Sequence, residues 1–89
     1  PAGAVGGAHA GYRVFPCRDG RVALAALEPH FAQALCEGAG VCAAGDRIGR
    51  ATMIKPATHA AIAEFCARHT RRELDALART HDLPLMTLA

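Results

Sequence analysis

The sequence predicts an α+β domain: a small antiparallel sheet, built from a β-hairpin and a C-terminal strand, packed by about three helices. Three observations predict it. Two short apolar runs flank an Asp-Gly pair near the start of the chain. Apolar residues then recur at helical spacing after Pro29 and Pro56. Finally, Thr70-Arg71-Arg72-Glu73 reads as a helix start, with the apolar stretch Leu83–Leu88 beyond it.

Residues 12–17, Tyr-Arg-Val-Phe-Pro-Cys, alternate as a strand does. Residues 21–26, Arg-Val-Ala-Leu-Ala-Ala, form the second run. Arg18-Asp19-Gly20 joins them, and Asp-Gly signals a hairpin because both residues tolerate positive φ. Pro16 cannot donate to a ladder, which places this strand at an edge or a bulge.

Leu27-Glu28-Pro29-His30 reads as a strand-to-helix junction. Pro29 suits the first helical position, where its missing N–H is not needed. Leu27, Phe31 and Leu35 follow at i, i+4, i+8 and predict the buried face. Gly38 and Gly40 predict the stop. Residues 39–55 have weak periodicity and mixed charge, and read as an irregular connection. Pro56 opens a second helix, with Ile62, Phe65, Cys66 and His69 on one side. Thr70 and Glu73 form a capping box for a third, with Leu74, Leu77 and Ala78 inward and an end near His81-Asp82. Leu83–Leu88 is then a strand returning to the hairpin. The order is β-β-α-α-α-β.

Composition excludes several classes. The chain has 89 residues, 52% hydrophobic and 20% charged, with a formal net charge of +2. That is one domain at most, burying roughly 60–65% of its unfolded surface. It is too apolar for a disordered tail. No apolar run approaches the roughly 20 residues of a membrane span. The charge is too small to imply a nucleic-acid surface. Four aromatics (Tyr12, Phe15, Phe31 and Phe65) supply no base-stacking platform. Neither a nucleic acid nor a membrane is expected as a partner.

The termini read as those of a piece cut from a longer protein. Residue 1 is Pro, residues 1–10 form a flexible Gly/Ala-rich start, and the end is apolar with no polar tail. The domain proper is expected over 11–89. No signal-peptide pattern is present. Cys17, Cys36, Cys42 and Cys66 form no C-x-x-C pair, so reduced thiols in a cytoplasmic protein are expected. His9, His30, His59, His69 and His81 are scattered, with no H-E-x-x-H motif, and no metal is expected. His69 and His81 fall at helix ends. Arg71 and Arg72, with Arg68 and Arg79, make a basic helical patch. With Glu64, Glu73 and Asp75 interleaved it reads as a solvated face rather than a phosphate site.

Glu28 is the candidate site residue. It precedes a Pro-initiated helix, where the positive end of the dipole favours a carboxylate. It also ends a strand, from which a side chain can be projected rigidly. Such a carboxylate can orient an imidazole by accepting its N–H. The other reading is a solvated charge at a helix start.

Several stretches together resemble one family. They are Gly11-Tyr12-Arg13-Val14-Phe15, Asp19-Gly20-Arg21-Val22-Ala23-Leu24 and Ala26-Leu27-Glu28-Pro29-His30-Phe31, then Phe65 through Thr70-Arg71-Arg72-Glu73-Leu74 to Asp82-Leu83-Pro84-Leu85. In this order they resemble the small domain of class III CoA-transferases, the CaiB/BaiF family. The likeness runs over about residues 6–89 and is weakest over 40–57. There the chain looks shortened, and an Arg-rich segment survives only in part as Arg47 and Arg50.

The resemblance implies a domain set into a larger Rossmann-like, CoA-binding domain, in an interlocked homodimer whose active site lies where the two domains meet. It implies acyl-CoA thioesters as substrates, with no cofactor bound by these 89 residues. The transferase nucleophile, an Asp of the large domain, has no counterpart here, so the piece is expected to be inert alone. Leu27-Glu28-Pro29-x-Phe31 looks closest to the α-methylacyl-CoA racemase branch. There the matching Glu supports a catalytic His of the large domain, and that role falls on Glu28. The alternative is a stand-alone interaction module using the apolar end at 83–89.

Overall fold

A computed structural model describes residues 9–89. The expected flexible start falls, over residues 1–8, outside the described residues; His9 and Ala10 are buried. The elements are β1 (Tyr12–Cys17), β2 (Gly20–Ala25), α1 (Pro29–Ala39), α2 (Arg50–Met53), α3 (Pro56–Arg68), α4 (Arg71–His81) and β3 (Leu85–Leu88). The three strands form one antiparallel sheet in the order β1-β2-β3. The α+β class and the returning C-terminal strand are therefore both present.

Alternation divides the sheet. Phe15, Val22 and Leu24 point inward and are buried. Val14, Ala23 and Met86 are paired in a row across the strands, and Val14 and Met86 are exposed on the outer face. Helix α3 packs against β1 and α1, and α4 against β3 and β2. The core closes around Val22, Leu35, Cys36, Met53, Ile62, Cys66 and Leu74. Pro16 lies on β1, an edge strand, where a missing donor is tolerated.

The hairpin forms for a different reason from the one the sequence suggested. Cys17 pairs with Gly20, so Arg18 and Asp19 make the turn, and neither Asp19 nor Gly20 takes positive φ. What Gly20 supplies is room. A Cβ there would run into the Leu88 carbonyl oxygen of β3 and crowd the Arg71 side chain.

Asp19 is more than a turn residue. Its carboxylate accepts the Arg71 N–H at 2.8 Å, at the first turn of α4. The Arg18 N–H donates to the His69 carbonyl at 2.9 Å, so the hairpin tip is tied to the α3–α4 junction. That junction carries the expected capping box. Thr70 Oγ1 accepts from the Glu73 N–H at 3.1 Å, and Glu73 accepts from the Thr70 N–H at 2.8 Å.

Two expectations need correction. The buried face of α1 is Ala32, Leu35 and Cys36, not Leu27, Phe31 and Leu35. Phe31 is half-buried, and Leu27, just ahead of the helix, is 41% exposed. Leu35 is common to both; the small Ala32 and Cys36, which a search for large apolar side chains passes over, complete the buried face. Residues 39–55 are not wholly irregular either. Four of them form α2, which puts Met53 into the core. Gly40, with φ 78°, ends α1 as expected, whereas Gly38 lies inside it.

Candidate functional site

Glu28 is the N-cap of α1. Its backbone is extended (φ −68°, ψ 143°), and its carbonyl accepts the Ala32 N–H at 2.9 Å. The side chain makes no cap hydrogen bond and is exposed. Pro29 takes the first helical position and fixes the chain direction there. The residue thus stands where a sheet hands over to a helix, and its carboxylate is not consumed in capping that helix.

Its two neighbours, Leu27 and Pro29, line a pocket of about 420 Å³, together with His9, Ala32, Ile48, Gly49, Arg50 and Met53. The pocket is assembled from segments distant in the chain. The Ala10 N–H donates to the Met53 carbonyl at 2.7 Å, and the Ala26 N–H to the Gly11 carbonyl at 2.6 Å. Gly11 is required by this close approach, because a Cβ there would meet the Ala26 oxygen at 2.6 Å. Gln33 of α1 holds the loop over 41–48. Its Oε1 accepts the Ile48 N–H at 3.2 Å, and its Nε2 donates to the Asp46 carbonyl and to Glu37. Glu37 in turn accepts the Gly45 N–H at 3.2 Å.

His9 is the buried polar residue of this region. Its Nδ1 accepts the Gly11 N–H at 3.0 Å. Burial lowers its pKa, and the charges of Arg50 and His59 lower it further, so the ring is held neutral. Arg13 Nη1 lies 3.0 Å from His59 Nδ1. Neither His9 nor Gln33 stood out in the sequence. Both act through backbone groups far along the chain, and no local motif marks that.

The other candidates are dispersed. Arg68 pairs with Glu64 at 2.8 Å, Arg71 is engaged with Asp19, and Arg72 and Arg79 are exposed. His69 caps α3, with its Nδ1 2.7 Å from the Phe65 carbonyl oxygen. All four cysteines are free, and burial pushes the Cys36 and Cys66 thiols up to about 11. Among the described residues no three His, Cys, Asp or Glu side chains are grouped to hold a metal ion, and no helix is long and apolar enough to cross a membrane. A second, wider hollow lies on the outer sheet face, around Tyr12, Val14, Ala25, Pro84 and Met86.

The site is therefore an exposed carboxylate beside a partly apolar pocket, on a three-stranded sheet backed by helices. No curated protein matches the chain. The model of one family, CoA-transferase family III, matches residues 1–89, the whole of it, in keeping with the likeness read from the Tyr12, Asp19-Gly20 and Glu28-Pro29 stretches. The chain belongs to CoA-transferase family III.

Proposed function

We propose that this chain is the small domain of an enzyme acting on acyl-CoA thioesters, by CoA transfer or by racemisation at the α-carbon. In this reading Glu28 is a positioning residue. It accepts the N–H of a catalytic His from a large Rossmann-like domain, in an interlocked homodimer, and so fixes the tautomer and orientation of that ring. The observation that carries the reading is the exposed carboxylate of Glu28, at the N-cap of α1 directly ahead of Pro29 and not used by its own helix.

The racemisation step is a proton transfer. The C–H bond next to the thioester carbonyl breaks, the proton passes to the base, and the electron pair is delocalised as an enolate. Return of a proton to the opposite face inverts the centre. Transfer needs instead a carboxylate nucleophile, which this reading puts in the large domain. The 89 residues by themselves are expected to be inert.

The test is Glu28→Gln in the full-length enzyme. Exchange of the α-proton of a 2-methylacyl-CoA is followed in heavy water, beside CoA transfer between acids. The variant is expected to turn over about 10–100-fold more slowly. Losing the anion also disfavours the protonated imidazole, so the acid limb of the pH–rate profile moves to lower pH. An unchanged rate and profile return Glu28 to a solvated helix-start charge. Absence of both activities in the parent enzyme removes the acyl-CoA reading itself. Met86, 66% exposed on the outer sheet face, favours a second reading, an interaction module without catalysis.

A further inference from the structure

The four cysteines fall into two pairs, each with one buried and one half-buried thiol: Cys66 with Cys17, and Cys36 with Cys42. Burial raises the two inner thiols most, and in each pair the charge of the outer thiol adds to it. Only the first pair bridges two regular elements. Cys17 ends β1 on the inner face, two residues beyond the buried Phe15, and packs against the core. Cys66 lies on the buried face of α3, with Ile62 and Phe65. Helix α3 packs on β1. The Arg18 N–H, one residue past Cys17, donates at 2.9 Å to the carbonyl of His69, three residues past Cys66. That bond sets Cys17 beside the last turn of α3, which carries Cys66.

The second pair is less suited to react. Cys36 rests its sulfur on Met53 Sδ at 3.3 Å. The Cys42 thiol is raised by burial and then by the carboxylates of Glu37 and Asp46, which disfavour its reactive thiolate. Cys17 Sγ does lie 3.9 Å from Asp19 Oδ1. That carboxylate, however, already accepts the Arg71 N–H at 2.8 Å and faces the guanidinium at 3.6 Å.

We propose that Cys17 and Cys66 are a disulfide-forming pair, reduced at rest, which hydrogen peroxide closes through Cys17, stapling the hairpin to α3. The half-buried Cys17 reacts first. Its sulfur bonds to one peroxide oxygen, the O–O bond breaks, one water leaves and a sulfenic acid remains. The Cys66 sulfur then attacks the Cys17 sulfur. The S–O bond breaks, and the hydroxyl leaves with the Cys66 proton as a second water. Two thiols have lost two electrons and two protons, and one peroxide has become two waters. Burial keeps Cys66 from the oxidant, and proximity favours its attack once the sulfenic acid has formed beside it. The assignment does not depend on thioester chemistry.

The whole protein is treated with hydrogen peroxide, its remaining thiols are alkylated, and it is digested with trypsin without reduction. Cleavage at arginine puts Cys17 and Cys66 on separate peptides, 14–18 and 51–68, and Cys36 with Cys42 on a third, 22–47. The expected product is the first two peptides joined, lighter than their sum by two hydrogens and parted again by dithiothreitol. Its rate of formation should not depend on protein concentration. Cys17→Ser should abolish it and leave Cys66 reduced. Cys66→Ala should leave Cys17 as a sulfenic acid that dimedone traps. Circular dichroism checks that each variant is folded, and if Cys66→Ala is not, the Cys17→Ser arm decides. The proposal is overturned if Cys17 passes to sulfinic acid with no cross-link, if peptide 22–47 closes internally first, if the cross-link forms between molecules, or if Cys66 is oxidised as fast without Cys17.

Discussion

The hairpin–α4 side of the molecule and the pocket side are held by different means. On the first, strands pair in register over their whole length, α4 packs on β2 and β3, and a capping box starts the helix. The tie from Asp19 to Arg71 adds to a surface that is already continuous. The pocket side has no such continuity. Residues 9–11, 26–29 and 41–53 each put a side chain or two into the core, Ala10, Ala26 and Met53 among them, but their backbones are joined by isolated bonds: Ala10 to Met53, Ala26 to Gly11, and the Gln33 cluster. Regular pairing makes one side a cooperative unit, whereas point contacts let the other open locally at lower cost. The candidate site lies on the side of point contacts, as ligand-facing segments commonly do.

The sharpest way to break the contrast is to remove the anchor of the cooperative side. Leu74 is the one fully buried residue of α4. Leu74→Ala leaves a cavity under the helix and is expected to cost about 2–5 kcal/mol. Thermal unfolding of the variant should show it, and amide exchange should rise along α4 and β3 together. A rise confined to a few α4 amides would mean that this side is not one unit.

Gln33→Ala tests the other side. It removes the side chain that satisfies the Ile48 N–H and the Asp46 carbonyl. The expected cost is about 1–3 kcal/mol, the scale of leaving such groups unpaired. Exchange should quicken at Ile48 and Gly45 and stay unchanged in α4. If α4 also loosens, the two sides are coupled.

The contrast also explains what the sequence made legible. Strand alternation, Pro29 at N1, Gly40 beyond α1 and the Thr70–Glu73 box are local signals, and each fell where expected. The pocket was not legible. Its polar residues work over long separations, Gln33 to Ile48 and Ala10 to Met53, and α2 is a four-residue helix that forms because Met53 finds a place in the core. Asp19-Gly20 falls in between. The turn was foreseeable from those two residues. The carboxylate's hold on α4 and the glycine's clearance under Leu88 depend on elements more than fifty residues away. Glu28 was found because a helix start marks itself in sequence, and its exposure could not be read there.

A smaller effect separates the sides by pH. His9 has its pKa lowered in the folded state, mainly by burial. The unfolded chain therefore binds the extra proton first as pH falls below the ordinary histidine value of 6.5. Stability contributed by neutral His9 is present above that pH and is lost as pH falls through the folded value. Asp19 and Glu73 are also lowered, chiefly by backbone N–H groups of Arg71 and Thr70. Their contribution is present above their ordinary values of 3.8 and 4.5 and is lost only as pH falls through still lower folded values. Acid should therefore loosen the pocket side first. The protection of the Gly11 amide, its exchange rate taken relative to the intrinsic rate at the same pH, is expected to fall below pH 6.5, before the first turn of α4 changes near and below pH 4. His9→Gln keeps an acceptor for the Gly11 N–H and should remove the first step while leaving the second. If both segments loosen together, or if the variant keeps the early step, the neutral imidazole is not what holds residues 9–11 in place.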